Sequence, residues 1–117
     1  MNARHVAVID IGKTNAKLAL VDTSDLSEIA VLTRPNSVRD APPYPHFDVD
    51  AIWAFLVDAL ADLQARHGVN ALSVTTHGAS GAVIGFDGEL AAPILDYELS
   101  GPDDTAEAYD AVRPSVA

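Results

Sequence analysis

The stretch Ile9-Asp10-Ile11-Gly12-Lys13-Thr14-Asn15-Ala16-Lys17 puts a carboxylate, two ammonium groups, a glycine and two short polar side chains within a few residues of one another. That set of groups suits an anion, and phosphate first of all. Gly12-Lys13-Thr14 also reproduces the end of the P-loop motif, so that reading has to be tested. A P-loop carries an earlier glycine at a fixed distance before the triplet and a helix directly after it. The earlier position is Ala7, inside the apolar run Val6-Ala7-Val8-Ile9. Beyond the turn, the segment from Ala16 to Asp22 is short and apolar and is bounded by the polar stretch Asp22-Thr23-Ser24-Asp25, which reads as a strand. The P-loop reading fails on both counts.

A strand–turn–strand holds phosphate in another way. Turn N–H groups and hydroxyls facing one concavity bind its oxygens without a helix dipole. Gly12 and Asn15 tolerate positive φ, which suits such a turn. Asp10 ends a strand expected to be buried, where a carboxylate is costly unless it meets a cation or hydrogen bonds to the loop. Mg²⁺ with phosphate fits, because Mg²⁺ takes few protein carboxylates and keeps water. An ordinary hairpin with Asp10 capping its turn accounts for the same residues.

Charge distribution bears on this choice. The 117 residues carry 17 acidic against 7 basic side chains, a formal net charge of −10. Such a chain repels nucleic acid and anionic membrane, so neither is an expected partner. The arginines are scattered at Arg4, Arg34, Arg39, Arg66 and Arg113, whereas both lysines, Lys13 and Lys17, lie in the stretch above. They mark either an anion site or a chance pairing in a lysine-poor chain. No cysteine is present, which excludes disulfides and thiolate metal sites. No apolar run approaches the roughly 18 residues of a membrane span, and no signal peptide precedes His5, so a cytoplasmic location is expected.

The elements that must position these groups are read from periodicity. Residues 5–11 and 16–22 read as two strands about the Gly12–Asn15 turn, and residues 28–34 as a third, giving an antiparallel meander. Residues 35–47, with Pro35, Pro42, Pro43 and Pro45, show no strand or helix pattern. From Asp50 the period becomes helical: Ile52, Phe55, Leu56, Ala59, Leu60 and Leu63 form one stripe, capped by Asp48 or Asp50 and closed at Gly68. Residues 71–76 are a strand, and a helix between strands implies a parallel crossover beside the first. Residues 82–86 and 89–92 are expected to form a hairpin about Asp87-Gly88. A weak amphipathic segment runs from Asp103 to Val112. The fold class is α/β, a mixed sheet with a hairpin meander, a crossover helix and a parallel strand.

Taken together, Asp10-x-Gly12-x-Thr14-Asn15-x-Lys17 on a strand–turn–strand resembles the first phosphate motif of the sugar kinase, actin and Hsp70 superfamily. More narrowly, the chain is similar to the amino-terminal part of the FGGY carbohydrate kinases. Three further stretches agree in order: Phe47-Asp48-Val49-Asp50-Ala51-Ile52-Trp53, Ser73 to Ser80 with His77-Gly78, and Phe86-Asp87-Gly88-Glu89 through Pro93-Ile94-Leu95-Asp96.

The resemblance implies a ribonuclease H-like (actin-like ATPase) fold, here a partial domain, and an enzyme that transfers the γ-phosphoryl group of ATP to a sugar hydroxyl. It implies that Asp10 organises Mg²⁺ through water. Gly12, Lys13, Thr14, Asn15 and Lys17 line the ATP phosphates, with Lys17 reaching the transferred group. Thr76, His77, Gly78 and Asp96 border the sugar, with Glu98 nearby. Lys13 departs from the family's more usual Thr. Residues 1–117 correspond to the amino-terminal part of the first of two lobes. The family's catalytic Asp falls beyond residue 117, as does the adenosine pocket of the second lobe, so the chain alone is expected to be inactive. The rival reading is a truncated, non-catalytic fragment or interaction protein that keeps the fold. Self-association through surface left bare by the missing part is expected in either case.

Overall fold

A computed structural model describes residues 4–115. Its centre is a four-stranded mixed sheet formed by β1 (His5–Ile11), β2 (Asn15–Asp22), β3 (Ser27–Pro35) and β6 (Ala71–Thr76), in the order β3-β2-β1-β6. β1 pairs antiparallel with β2 and parallel with β6, and β2 pairs antiparallel with β3. The meander, the crossover and the parallel fourth strand are all present, as the ribonuclease H-like class requires.

Helix α1 (Val49–His67) begins where Asp48 accepts from the Ala51 N–H, so Asp48 and not Asp50 is the cap. It ends at Gly68, whose φ of 75° needs a residue without Cβ. Its apolar stripe sets Ala59 and Leu63, with Phe55 and Leu60 beside them, against Ala7, Leu18 and Leu20 of the sheet. Ile9, Ala30 and Leu32 complete this cluster. α1 packs chiefly on β2 and β3. Leu72 and Val74 of β6 pair with Ala7 and Ile9 and share their face, yet they are 55% and 68% exposed. Between α1 and β6 runs a groove of about 440 Å³ lined by Val57, Leu60, Ala61, Val69 and Leu72.

Several expectations need correction. The proline-rich stretch is not without strands: β4 (Val38–Arg39) pairs antiparallel with β5 (His46–Phe47). Two residues each were too few to show a period. The hairpin about Asp87-Gly88 shrinks to a turn and a single bridge between Ile84 and Leu90. Its turn forms as the residues dictate, with Gly88 at φ 85° and the Asp87 carboxylate accepting from the Glu89 N–H. Val83, Ile84 and Phe86 are exposed, and a two-stranded hairpin without a covered apolar face does not sustain a ladder. The segment 103–112 is a 3₁₀ turn, Gly101–Thr105, followed by α2 (Ala106–Val112), and it buries no residue.

The first turn also differs in detail. Neither Gly12 nor Asn15 takes a positive φ; among the described residues only Leu26, Gly68 and Gly88 do. Glycine serves close approach instead. Its N–H donates to the Asn15 carbonyl at 2.8 Å, and a Cβ at this position would lie 3.2 Å from that oxygen. Asn36 then buckles the turn from behind. Its N–H donates to the Thr14 carbonyl at 2.8 Å and its side-chain Nδ2 to the Gly12 carbonyl at 2.7 Å. The residue is buried, so neither bond competes with bulk water.

This scaffold generates two expected outcomes. Asn36→Ala removes a buried bond to Gly12 and leaves that carbonyl unpaired, so chemical unfolding should show a loss of about 1–3 kcal/mol. A loss below about 0.3 kcal/mol would mean that the turn does not depend on Asn36. The second concerns pH. Asp22 accepts from the Ser24 hydroxyl and N–H and from Arg4, and these bonds hold its carboxyl at about 2, below its ordinary 3.8. The unfolded chain therefore takes up this proton first. The stabilisation is complete above pH 3.8 and is lost as pH falls through about 2. Melting curves of wild type and Asp22→Asn should converge across that window; a constant difference would exclude this origin.

Candidate active site

The site lies at the carboxyl ends of β1 and β6. Register brings it together: Asp10 pairs with Lys17 on one side and with Thr75 on the other, and Ile11 pairs with Ala16 and Thr76. The Ile11 carbonyl accepts from the His77 N–H at 3.0 Å and from the Thr76 hydroxyl at 3.2 Å. The strand end that carries Asp10 is thereby fixed to the strand end that carries His77.

Asp10 sits on the sheet face opposite α1, because alternation sends Ala7 and Ile9 to the helix side. The side chain is 44% exposed, so the expectation of a buried carboxylate is corrected. Its Oδ2 lies 4.0 Å from Lys17 Nζ, a cross-strand pair open to water. Thr14 and Asn15 are exposed at the turn, joined by a 3.2 Å bond from Asn15 Nδ2 to Thr14 Oγ1. Among the described residues the N–H groups of Lys13 and Thr14 make no hydrogen bond, which leaves two donors at the tip for an anion. No group of three or more His, Asp or Glu suited to a metal ion occurs among the described residues. A lone, half-exposed Asp10 beside free turn donors fits Mg²⁺ held mainly by phosphate and water.

Lys13 does not point into this anion site. Its Nζ lies 3.1 Å from Asp96 Oδ1 and 3.4 Å from Glu98 Oε2, over the rings of Phe47 at 5.4 Å and Tyr97 at 5.7 Å. The hydrogen bond to Asp96 raises its pKa above the ordinary lysine value, against a smaller opposing effect of desolvation, so the ammonium stays charged. Of the two lysines in the turn region, only Lys17 is turned toward Asp10.

His77 adjoins the same cluster. Its ring lies 5.8 Å from Phe47 and 5.3 Å from Tyr97. The segment carrying Asp96, Tyr97 and Glu98 is held by Tyr44 Oη donating to the Pro93 carbonyl, Phe47 N–H to Ile94 and Asp96 N–H to Pro45. Three buried side-chain atoms among the described residues have no hydrogen-bond partner: Asn36 Oδ1, His77 Nδ1 and Ser80 Oγ. All three residues line one cavity of about 180 Å³ beneath the strand ends, with Ile11, Phe47 and Thr76. His77 thus keeps an unused hydrogen-bonding position.

The structure therefore gathers Asp10, Gly12, Lys13, Thr14, Asn15, Lys17, Thr76, His77 and Asp96 at one end of the sheet. Gly78 comes directly after His77, and a Cβ there would touch nothing within 4 Å, so no contact inside the chain demands glycine. Sequence reasoning missed Asn36, Phe47, Tyr97 and Ser80 as parts of the site. An asparagine directly after the strand-ending Pro35 was the one available signal for Asn36. The aromatic contacts depend on a loop path that periodicity does not describe.

No family model matches the sequence, and no curated protein matches it. Solved structures do. A carbohydrate kinase from Novosphingobium aromaticivorans is 30% identical, with a TM-score of 0.79 over 97% of this chain and 24% of that one. A gluconate kinase from Lactobacillus acidophilus shares the fold at 17% identity, with a TM-score of 0.72 over 94% of this chain and 23% of its own. A xylulose kinase from Rhodospirillum rubrum shares it at 24% identity, with a TM-score of 0.69 over 93% and 24%. The chain spans about a quarter of the length of these structures. The resemblance read from its motifs therefore holds at the level of fold: the chain is similar to the corresponding part of these carbohydrate kinases over nearly all its length.

Proposed function

We propose that this chain supplies the phosphate-binding turn and one wall of the acceptor site of an ATP-dependent carbohydrate kinase, as the amino-terminal part of its first lobe. The observation that carries the reading is the β1–β6 register. It sets a turn with free N–H donors, Asp10 and Lys17 beside His77 and the Asp96 segment. Mg²⁺·ATP, when bound, supplies the phosphoryl group and a cation that neutralises developing charge. The residues of the chain do the rest. Asp10 offers the carboxylate that orients the cation through water, the Lys13 and Thr14 N–H groups hold phosphate oxygens, and Lys17 offsets charge on the transferred group. His77, at the end of β6, borders the acceptor hydroxyls. The general base and adenosine contacts belong to other parts of such an enzyme, and the 117-residue chain by itself is expected to show no turnover.

A second reading applies to the chain alone. Leu72 and Val74 stand open beside the groove against α1, and apolar patches beyond a few hundred Å² rarely persist on monomers. Two copies are expected to associate through this face. Light scattering should show species above the monomer that Leu72→Glu reduces; a clean monomer at high concentration would exclude the association.

In the complete protein, Asp10→Ala should reduce turnover far more than sugar binding. The demand on Mg²⁺ and phosphate charge peaks in the transition state, so the loss is several kcal/mol at roughly 1.4 kcal/mol per tenfold in rate. His77→Ala should chiefly raise the sugar KM, by the roughly 0.5–1.5 kcal/mol of a neutral hydrogen bond. Steady-state kinetics with sugar and ATP varied separately measure both. Equal losses of turnover with unchanged sugar affinity in His77→Ala would show that the two strand ends are wrongly assigned.

A further inference from the structure

Asn36 Oδ1, His77 Nδ1 and Ser80 Oγ are buried and find no hydrogen-bond partner among the described residues. Asn36 follows β3 and His77 follows β6, the two edge strands of the sheet, yet all three residues line one cavity of about 180 Å³. Most of its remaining wall is apolar, with Ile11, Phe47, Ile52 and Ile94. Buried polar groups in folded proteins are paired with the chain or with ordered water, because a bond left unmade is costly. Three such atoms around one cavity point to a shared partner.

The chemistry of Asn36 limits what that partner is. Its Nδ2 donates to the Gly12 carbonyl at 2.7 Å, and a carbonyl only accepts. The amide nitrogen therefore lies on the turn side and the oxygen on the cavity side. Whatever fills the cavity must donate a proton to Asn36. The Ser80 hydroxyl carries a donor, and so does one tautomer of His77, but neither reaches Oδ1. Water has two donors and two acceptors and suits all three atoms at once. A buried water needs roughly two to four polar partners and about 30 Å³ of space, and the cavity supplies both.

We propose that this cavity is a hydration site whose ordered water bridges Asn36 Oδ1, His77 Nδ1 and Ser80 Oγ, which makes Asn36 and Ser80 positioning residues for the His77 ring. Asn36 then acts in two directions. Its N–H and Nδ2 hold the Thr14 and Gly12 carbonyls of the turn, while its Oδ1 holds the ring through water. The Gly12–Asn15 turn and the end of β6 are thus connected a second time, independently of the Ile11 carbonyl. With Nδ1 engaged by water, Nε2 is the ring nitrogen left for a ligand. The link is a property of the folded chain and holds whatever ligands the two ends take.

The test uses NMR of the labelled chain and two variants of matched shape, Ser80→Thr and Ser80→Val, which differ in the hydroxyl. In the wild-type chain, water should give Overhauser cross-peaks to the methyl groups of Ile11, Ile52 and Ile94, which carry no exchangeable proton. Ser80→Val should weaken these cross-peaks and shift both the His77 Nδ1 resonance and the Asn36 side-chain amide. Ser80→Thr should leave all three near their wild-type state. Absence of the water cross-peaks in the wild-type chain would overturn the proposal, and that measurement needs no variant to fold. Equal effects of Thr and Val would also overturn it, because they would reflect packing alone. So would a shift at His77 with none at Asn36, since the two would then not share a partner. No readout involves ATP or turnover: failure here leaves the kinase reading standing, and an inactive complete protein leaves the water link standing.

Discussion

The Ile11 carbonyl, accepting from both the His77 N–H and the Thr76 hydroxyl, is the joint on which the site depends. It closes the parallel ladder between β1 and β6, and the antiparallel ladder to β2 fixes the other side of the same strand end. A register slip of one residue would send Asp10 to the helix face and Ile11 to the open one, because side chains alternate. The apolar cluster of Ala7, Leu18, Leu20, Ala59 and Leu63 opposes that slip. Packing far from the site thus determines which side chains reach it.

Around this joint, two tethers shape the local chemistry. Asn36 holds the Gly12 and Thr14 carbonyls, and the Lys13 and Thr14 N–H groups between them stay without a bond. Lys13 crosses from the turn to Asp96 and Glu98, joining the phosphate end to the segment expected to meet sugar. The first tether creates a donor surface for an anion. The second uses up a positive charge that composition alone would assign to that anion. Lys17, at 4.0 Å from Asp10, is the cation that remains on the phosphate side.

Most of the sheet and α1 were legible in the sequence because burial imposes a period there. Strands 5–11 and 71–76, the stripe through Ile52, Phe55, Ala59 and Leu63, and the Gly68 stop all read directly. Elements without a buried face did not read well. The expected strands about Asp87-Gly88 lack a covered side and reduce to one bridge, whereas β4 and β5 are too short for any pattern. The site divides along the same line. Asp10, the turn and His77 stand at strand ends, where spacing locates them. The direction of Lys13 and the proximity of Phe47 and Tyr97 to His77 depend on how residues 35–47 and 93–98 cross, and no local rule gives that path.

The central claim is that one end of this sheet carries adjacent phosphate and acceptor subsites joined through β1 and β6. A crystal structure of the complete protein with Mg²⁺, a non-hydrolysable ATP analogue and a neutral sugar measures this most directly. The account predicts the terminal phosphate on the Lys13 and Thr14 N–H groups, Asp10 facing the cation through water, and a sugar hydroxyl at His77. Terminal phosphate bound away from the Gly12–Asn15 turn, or sugar bound with His77 and Asp96 on the far side of the sheet, would contradict it.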